Sequence, residues 1–139
     1  PAVIPFGVTD TPLQPIYHIG SVIGANVPVW DIREEFGDTS LLVTTAATGA
    51  SLARALGSGR IALMRGHGAT VAGRSVREAV YLSIQLQNNA QLQLASMAIG
   101  KPTFLSPGEI DIASDVMLQP LSQQRSWQLW AHEAGFPVG

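Results

Sequence analysis

With 139 residues, 46% of them hydrophobic and only 13% charged, the chain holds one compact domain's worth of sequence and enough apolar content to bury a core, which excludes a disordered segment. A formal net charge of −2 and eight scattered basic residues give no cationic run that could track a phosphate backbone, so no nucleic-acid partner is expected. No cysteine is present, so disulfides and thiolate metal sites are excluded and any metal must take nitrogen and oxygen ligands; this does not fix the compartment, but it is compatible with a reducing cytoplasm, the expected location.

The chain opens on the apolar run Pro1 to Val8, where Pro5 argues against a central strand. Pro1 is not an initiator Met and no secretory signal precedes this run, so a trimmed or partial chain is the simplest account. Asp10 to Pro15, with two prolines, reads as a loop, and Ile16 to Ile23 is a short apolar stretch punctuated by Gly20 and followed by Gly24. Its Tyr17-His18 pair invites a chemical reading; His18 alone serves equally as a packed core imidazole donating to a backbone carbonyl. Val27 to Ile32 reads as a strand, near an edge because Pro28 cannot donate to a ladder, and Glu34 and Glu35 read as a solvated loop.

Asp38, Thr39 and Ser40 offer caps for a helix from Leu41 to Leu56, closed by Gly57 and divisible at Gly49. No His or Asp stands near its hydroxyls at the spacing of a nucleophile elbow, so no serine-hydrolase triad is expected. Ile61 to Met64 is an unbroken apolar run of strand length, and Ala69 to Ala72 is again compatible with a strand. Between them, His67 is flanked by Gly66 and Gly68, which allow positive φ and the close approach of a ligand. By itself the triplet reads first as a turn with a satisfied ring.

Ser75 and Glu78 have the spacing of a capping box opening a helix from Ser75 to Ile99, closed by Gly100 and Pro102. No charge lies between Glu78 and Lys101, but six amides crowd the middle, which makes a membrane span a poor reading and no membrane partner is expected. Val76, Ala79, Val80, Ile84, Leu94, Ala95 and Ala98 form the expected core face, and the amides suit a subunit contact in a homo-oligomer; the alternative is a helix sandwiched inside one domain. Ser106, Pro107 and Glu109 open a further helix to Leu118, and a last helix from Leu121 to Ala134 puts Trp127, Trp130 and Ala131 on one stripe with His132 facing solvent.

The block Leu63 to Ala79, an apolar strand, a Gly-His-Gly turn and a helix beginning Glu78-Ala79, resembles the C-terminal half of the class II aldolase/adducin family, with less specific similarity along the rest of the chain. The resemblance implies an α/β fold, a three-layer α/β/α sandwich on a mixed, mostly antiparallel sheet, of which residues 1–139 are the C-terminal portion as a single domain. It favours a short helix over Val3 to Val8. It carries a metal-ligand role onto His67, with Gly66 and Gly68 as site backbone, and a zinc or manganese ion as the divalent cofactor. The second ring nitrogen of His67 should then donate to a carbonyl or carboxylate.

The family's His-x-His pair and an acidic group precede a segment like Pro1 to Val8, and that half-site is missing from this sequence. Its tyrosine that protonates an intermediate aligns with Ile19, with His18 one place earlier and Tyr17 one earlier still, so Tyr17 and His18 are carried as candidate catalytic groups. What the family implies is a carbon-carbon lyase in which the divalent ion, chelated by a hydroxy-carbonyl or hydroxy-carboxylate substrate, stabilises an enolate after aldol cleavage or decarboxylation. The runs Pro1 to Val8 and Met64 to Thr70 resemble the hydroxy-aromatic-carboxylate decarboxylases more than the sugar-phosphate aldolases. A homotetramer is the implied assembly; a non-catalytic adducin-like module and a sugar-phosphate epimerase are the alternatives.

Overall fold

The computed structural model describes residues 1–136, and its framework is a hairpin flanked by helices. In chain order the elements are α1 (Ile4–Gly7), a 3₁₀ turn (Ile19–Ile23), β1 (Val29–Trp30), α2 (Arg33–Phe36), α3 (Ala46–Leu56), β2 (Ile61–Met64), β3 (Gly68–Val71), α4 (Val76–Ile99), α5 (Pro107–Met117) and α6 (Pro120–Glu133). The sheet runs β1-β2-β3, with β2 parallel to β1 and antiparallel to β3. It is therefore mixed, with one pair of each kind. All four residues of β2 are buried, as a central strand covered on both faces requires.

Several boundaries differ from the sequence reading, each for a local reason. The strand expected over Val27 to Ile32 is reduced to two residues because Asp31 Oδ1 accepts the Arg33 N–H at 2.9 Å and turns the chain into α2. Glu34 and Glu35 thus lie in a helical turn rather than a loop, and Glu35 accepts from Ser51 Oγ (2.5 Å) and pairs with Arg54 (2.7 Å). Leu41 adopts φ 63°, which no helix tolerates, so α3 begins only at Ala46, where Thr45 and Thr48 cap one another reciprocally. The short helix at the N-terminus and the capping box of Ser106 and Glu109 form as expected.

The main core gathers Val3, Phe6, Leu13, Val22, Ile61, Leu63, Leu82 and Leu86, with Trp130 of α6 tilted against Tyr81 of α4. Trp30, Ile32 and Met64 form a second cluster under α3, where the Trp30 indole donates to Ser51 Oγ at 2.9 Å. On α4 the buried face is not the expected one: Val76 is 76% exposed and Ala95 and Ala98 face solvent, whereas Tyr81, Leu82, Gln85, Leu86, Asn89, Ala90 and Gln93 are buried.

The amides on that face explain the inversion. Gln93 accepts the Gln14 N–H (3.0 Å) and donates to the Pro12 carbonyl (2.8 Å), while Asn89 accepts the Ile16 N–H (3.0 Å) and donates to the Gln14 carbonyl (2.8 Å). An extended segment with no strand beside it must satisfy its backbone somehow, and amides spaced four apart along one helix face do so. Gln85, Asn89 and Gln93 are thus committed within the chain and are not an inter-subunit contact surface. Glu78 N–H donates to Ser75 Oγ, but the Glu78 carboxylate does not return to Ser75; it faces Arg60 at 3.9 Å, so the capping box is half formed.

Candidate functional site

The hairpin between β2 and β3 turns through Met64, Arg65, Gly66 and His67, closed by the His67 N–H donating to the Met64 carbonyl at 3.0 Å. Gly66 has φ 68° while Arg65 keeps negative φ, the pattern of a type II turn, which wants glycine at its third position. Gly68 follows at φ 149°, again a backbone that side chains rarely adopt. Both glycines are therefore required by conformation, and between them the His67 imidazole projects into solvent.

The turn is anchored from beneath. Arg65 N–H donates to the Trp30 carbonyl at 3.0 Å, and its guanidinium Nε lies 2.7 Å from Asp31 Oδ2, whose side chain is only 13% exposed. Arg65 holds the Asp31 carboxyl below its ordinary range, against burial, which works the other way, and with help from Arg33. The pair arises from strand register: Trp30 lies beside Met64 in the parallel ladder, so the next residues, 31 and 65, emerge side by side. Sequence reading missed Arg65 and Asp31, because that neighbourhood exists only once β1 and β2 pair. From the other side α1 packs close to the turn, with Gly7 against the backbone of Met64 and Arg65.

The remaining predicted residues stand apart. Tyr17 donates its phenolic hydrogen to Gln85 Oε1 at 2.8 Å, and burial raises its pKa, partly offset by a side-chain contact from Asn88. His18 sits edge-on to the Tyr17 ring, centroids 6.1 Å apart, and is exposed, so it is not a packed core imidazole. His132 is exposed, as expected.

Among the described residues no hydrogen bond or ring contact joins Tyr17 or His18 to His67, and no three His, Asp or Glu side chains converge on a point that could hold a metal ion. His67 makes no side-chain hydrogen bond there either, so the expected second partner for its ring is not found, nor is the ring the satisfied imidazole of an ordinary turn. An exposed imidazole on a turn anchored from beneath fits one ligand position. The described residues do not make up a complete ligand set.

Residues 2–94 match the family model described as the class II aldolase and adducin N-terminal domain. Decarboxylase tropJ of Talaromyces stipitatus is 30% identical over 151 residues, covering 94% of this chain and 57% of that protein. Among solved structures, an L-fuculose 1-phosphate aldolase superposes with a TM-score of 0.66 at 16% identity over 84% of this chain and 51% of its own. An aldolase II superfamily protein from Pseudomonas syringae superposes with a TM-score of 0.71 at 18% identity over 95% and 52%. The chain spans little more than half the length of each of these relatives.

Proposed function

We propose, from the premise that this chain belongs to the class II aldolase and adducin family, that it is the C-terminal portion of a single lyase domain that breaks a carbon-carbon bond next to a hydroxy-carbonyl or hydroxy-carboxylate group. The observation that carries this reading is the His67 turn: an imidazole with no hydrogen-bond partner among the described residues, held out between two conformationally required glycines and anchored by the Arg65–Asp31 pair. A site of that kind is preorganised, which is what a metal ligand needs.

In this proposal His67 supplies one ligand to a divalent ion, zinc or manganese, and the remaining ligands come from outside the described residues. When bound, such an ion supplies a Lewis acid for the electron pair released as the bond breaks. The chain's own contribution is positional. Arg65 and Asp31 fix the turn, and Gly66 and Gly68 keep the approach to the imidazole clear of any Cβ. Tyr17 keeps its phenolic proton, since burial raises its pKa, and with exposed His18 it is the candidate acid-base pair. The relationship to a decarboxylase favours decarboxylation over aldol cleavage, with hydroxy-aromatic carboxylates as the substrate class to try first.

The proposed architecture is the three-layer α/β/α sandwich of the family, completed by segments beyond these residues, in a cytoplasmic homotetramer. Among the described residues no helix is long and apolar enough to cross a membrane. Exposed Ile112, Val116, Leu121 and Leu129 of α5 and α6 supply apolar surface for assembly, in place of the amides of α4. Light scattering of the full protein checks this; a stable monomer would overturn the tetramer.

The test of function is turnover and metal content of the full-length protein beside its His67→Ala variant. Loss of both in the variant is the expected result. Equal values for the two proteins would remove His67 from the site.

A further inference from the structure

At the opposite end of the β2–β3 hairpin from His67, a cleft of about 380 Å³ opens between the start of α4 and the junction of α5 with α6. Arg60, Arg74 and Arg77 line it, together with Glu78 and Asp115, so its charged groups sum to one net positive charge. Arg60 and Glu78 face one another at 3.9 Å across its wall, which leaves Arg74 and Arg77 without an ion pair among the described residues. The guanidinium charges of Arg74 and Arg77 thus face the cleft with no carboxylate at ion-pair distance among those residues, and an anion there would neutralise them.

The first turn of α4 adds to this. Ser75 caps the helix by accepting the Glu78 N–H, and Ser75, Arg77 and Glu78 all line the cleft, so the positive end of a 24-residue helix is directed at the same space. A second hollow of about 340 Å³ shares Arg60, Arg74 and Glu78 and extends the cleft toward Ser58. The volume falls in the range of small-molecule sites and exceeds the needs of a single bare ion.

We propose that this cleft binds the phosphoryl group of a small molecule, with Arg77 and Arg74 as its guanidinium clamps and the first turn of α4 as the dipolar floor. Guanidinium is the side chain suited to this ligand, because its planar fork donates two parallel hydrogen bonds to phosphate oxygens. The site is separate from the candidate metal turn. Ala72 N–H donates to the Arg60 carbonyl at 2.7 Å at the open end of the hairpin, and the four residues of β2 span roughly 13 Å between there and the turn. Occupancy of the cleft and the chemistry at His67 can thus be measured independently, and the proposal stands without the lyase reading.

The experiment is calorimetric titration of the full-length protein with inorganic phosphate, pyrophosphate and glycerol phosphate at matched low ionic strength, with sodium chloride as the screening control. Saturable binding of at least one phosphate probe, weakened tenfold or more in Arg77→Gln and in Arg74→Gln and unchanged in Arg54→Gln, is the expected result. Tighter binding of the ester than of inorganic phosphate identifies a phosphorylated metabolite as the ligand, and the reverse order identifies free phosphate. Binding that is non-saturable, or equally strong in Arg77→Gln with its cooperative unfolding retained, would overturn the site. So would a wild-type protein that binds none of the probes while Arg77→Gln dissociates into smaller species, since the cleft would then be a subunit contact.

Discussion

The His67 turn and the amide face of α4 are both polar features set in an apolar framework, and they are built on opposite plans. The turn is local: four consecutive residues, closed by one backbone hydrogen bond, with glycine where φ is positive. Its candidate side chain, His67, makes no hydrogen bond among the described residues. The amide face is long-range: Gln85, Asn89 and Gln93 make their hydrogen bonds to residues some seventy to eighty positions earlier in the chain. The first arrangement leaves a group available for chemistry; the second uses its groups to hold the fold. Stability and function should therefore separate between the two regions.

The sharpest break of that comparison is Asn89→Leu. The amide is fully buried, and its loss strands the Ile16 N–H and the Gln14 carbonyl in an apolar setting. At about 1–3 kcal/mol for each unsatisfied buried group, a destabilisation of roughly 2–6 kcal/mol is expected, read as a lower urea midpoint with an unchanged slope. A loss below about 0.5 kcal/mol would mean that the segment Pro12–Ile16 finds water instead and that the amides hold nothing.

Gly68→Ala comes next. A Cβ there meets nothing within 4 Å, so any cost is that of the backbone at φ 149° and not of crowding. Strain of that kind is worth about 1–3 kcal/mol, above the ordinary difference between glycine and alanine. The turn should also shift, so turnover of the full protein should fall together with stability. Unchanged stability would show that the turn can relax without its glycine.

The two regions were unequally legible in the sequence. The turn could be read because its signals are adjacent: an apolar run, a glycine on each side of a histidine, a cap three residues ahead of a glutamate. The amide face could not, because uncharged polar residues on a helix look the same whether they meet a second subunit or an earlier stretch of the same chain. Helical periodicity misleads as well, since it places small apolar residues such as Ala95 and Ala98 in the core, where amides share the buried face with Tyr81, Leu82, Leu86 and Ala90. The Arg65–Asp31 pair was hidden for a related reason, as it depends on the parallel register of β1 and β2. Leu41 at positive φ leaves no trace in sequence at all, so the caps at 38–40 point to a helix start five residues ahead of the true one at Ala46.

The anchor beneath the turn gives a pH test of smaller size. The Asp31 carboxyl titrates below the ordinary carboxylate range in the folded protein, chiefly through Arg65. A depressed carboxylate pKa contributes stability that is present above the unfolded value and is lost as pH falls through the folded one. The stability difference between wild type and Asp31→Asn should accordingly be constant from neutral pH down to about pH 5 and shrink below about pH 4. A difference that stays flat through that window would show that the pair with Arg65 does not hold the carboxylate charged.

The smallest expected effect is the one the comparison depends on most. His67 carries an exposed imidazole without a side-chain hydrogen bond among the described residues, and the turn beneath it is closed by its backbone N–H, which alanine retains. The flanking glycines and the Arg65–Asp31 anchor are also untouched by the substitution. His67→Ala should therefore change unfolding free energy by no more than about 0.5 kcal/mol in metal-free protein, the range of ordinary surface substitutions. In protein loaded with a divalent ion the wild type should gain stability that the variant does not, because a ligand that binds only the folded state stabilises it by mass action. A variant destabilised by several kcal/mol without metal would make the imidazole a structural group, and the division between a turn that performs chemistry and a helix face that holds the fold would fail.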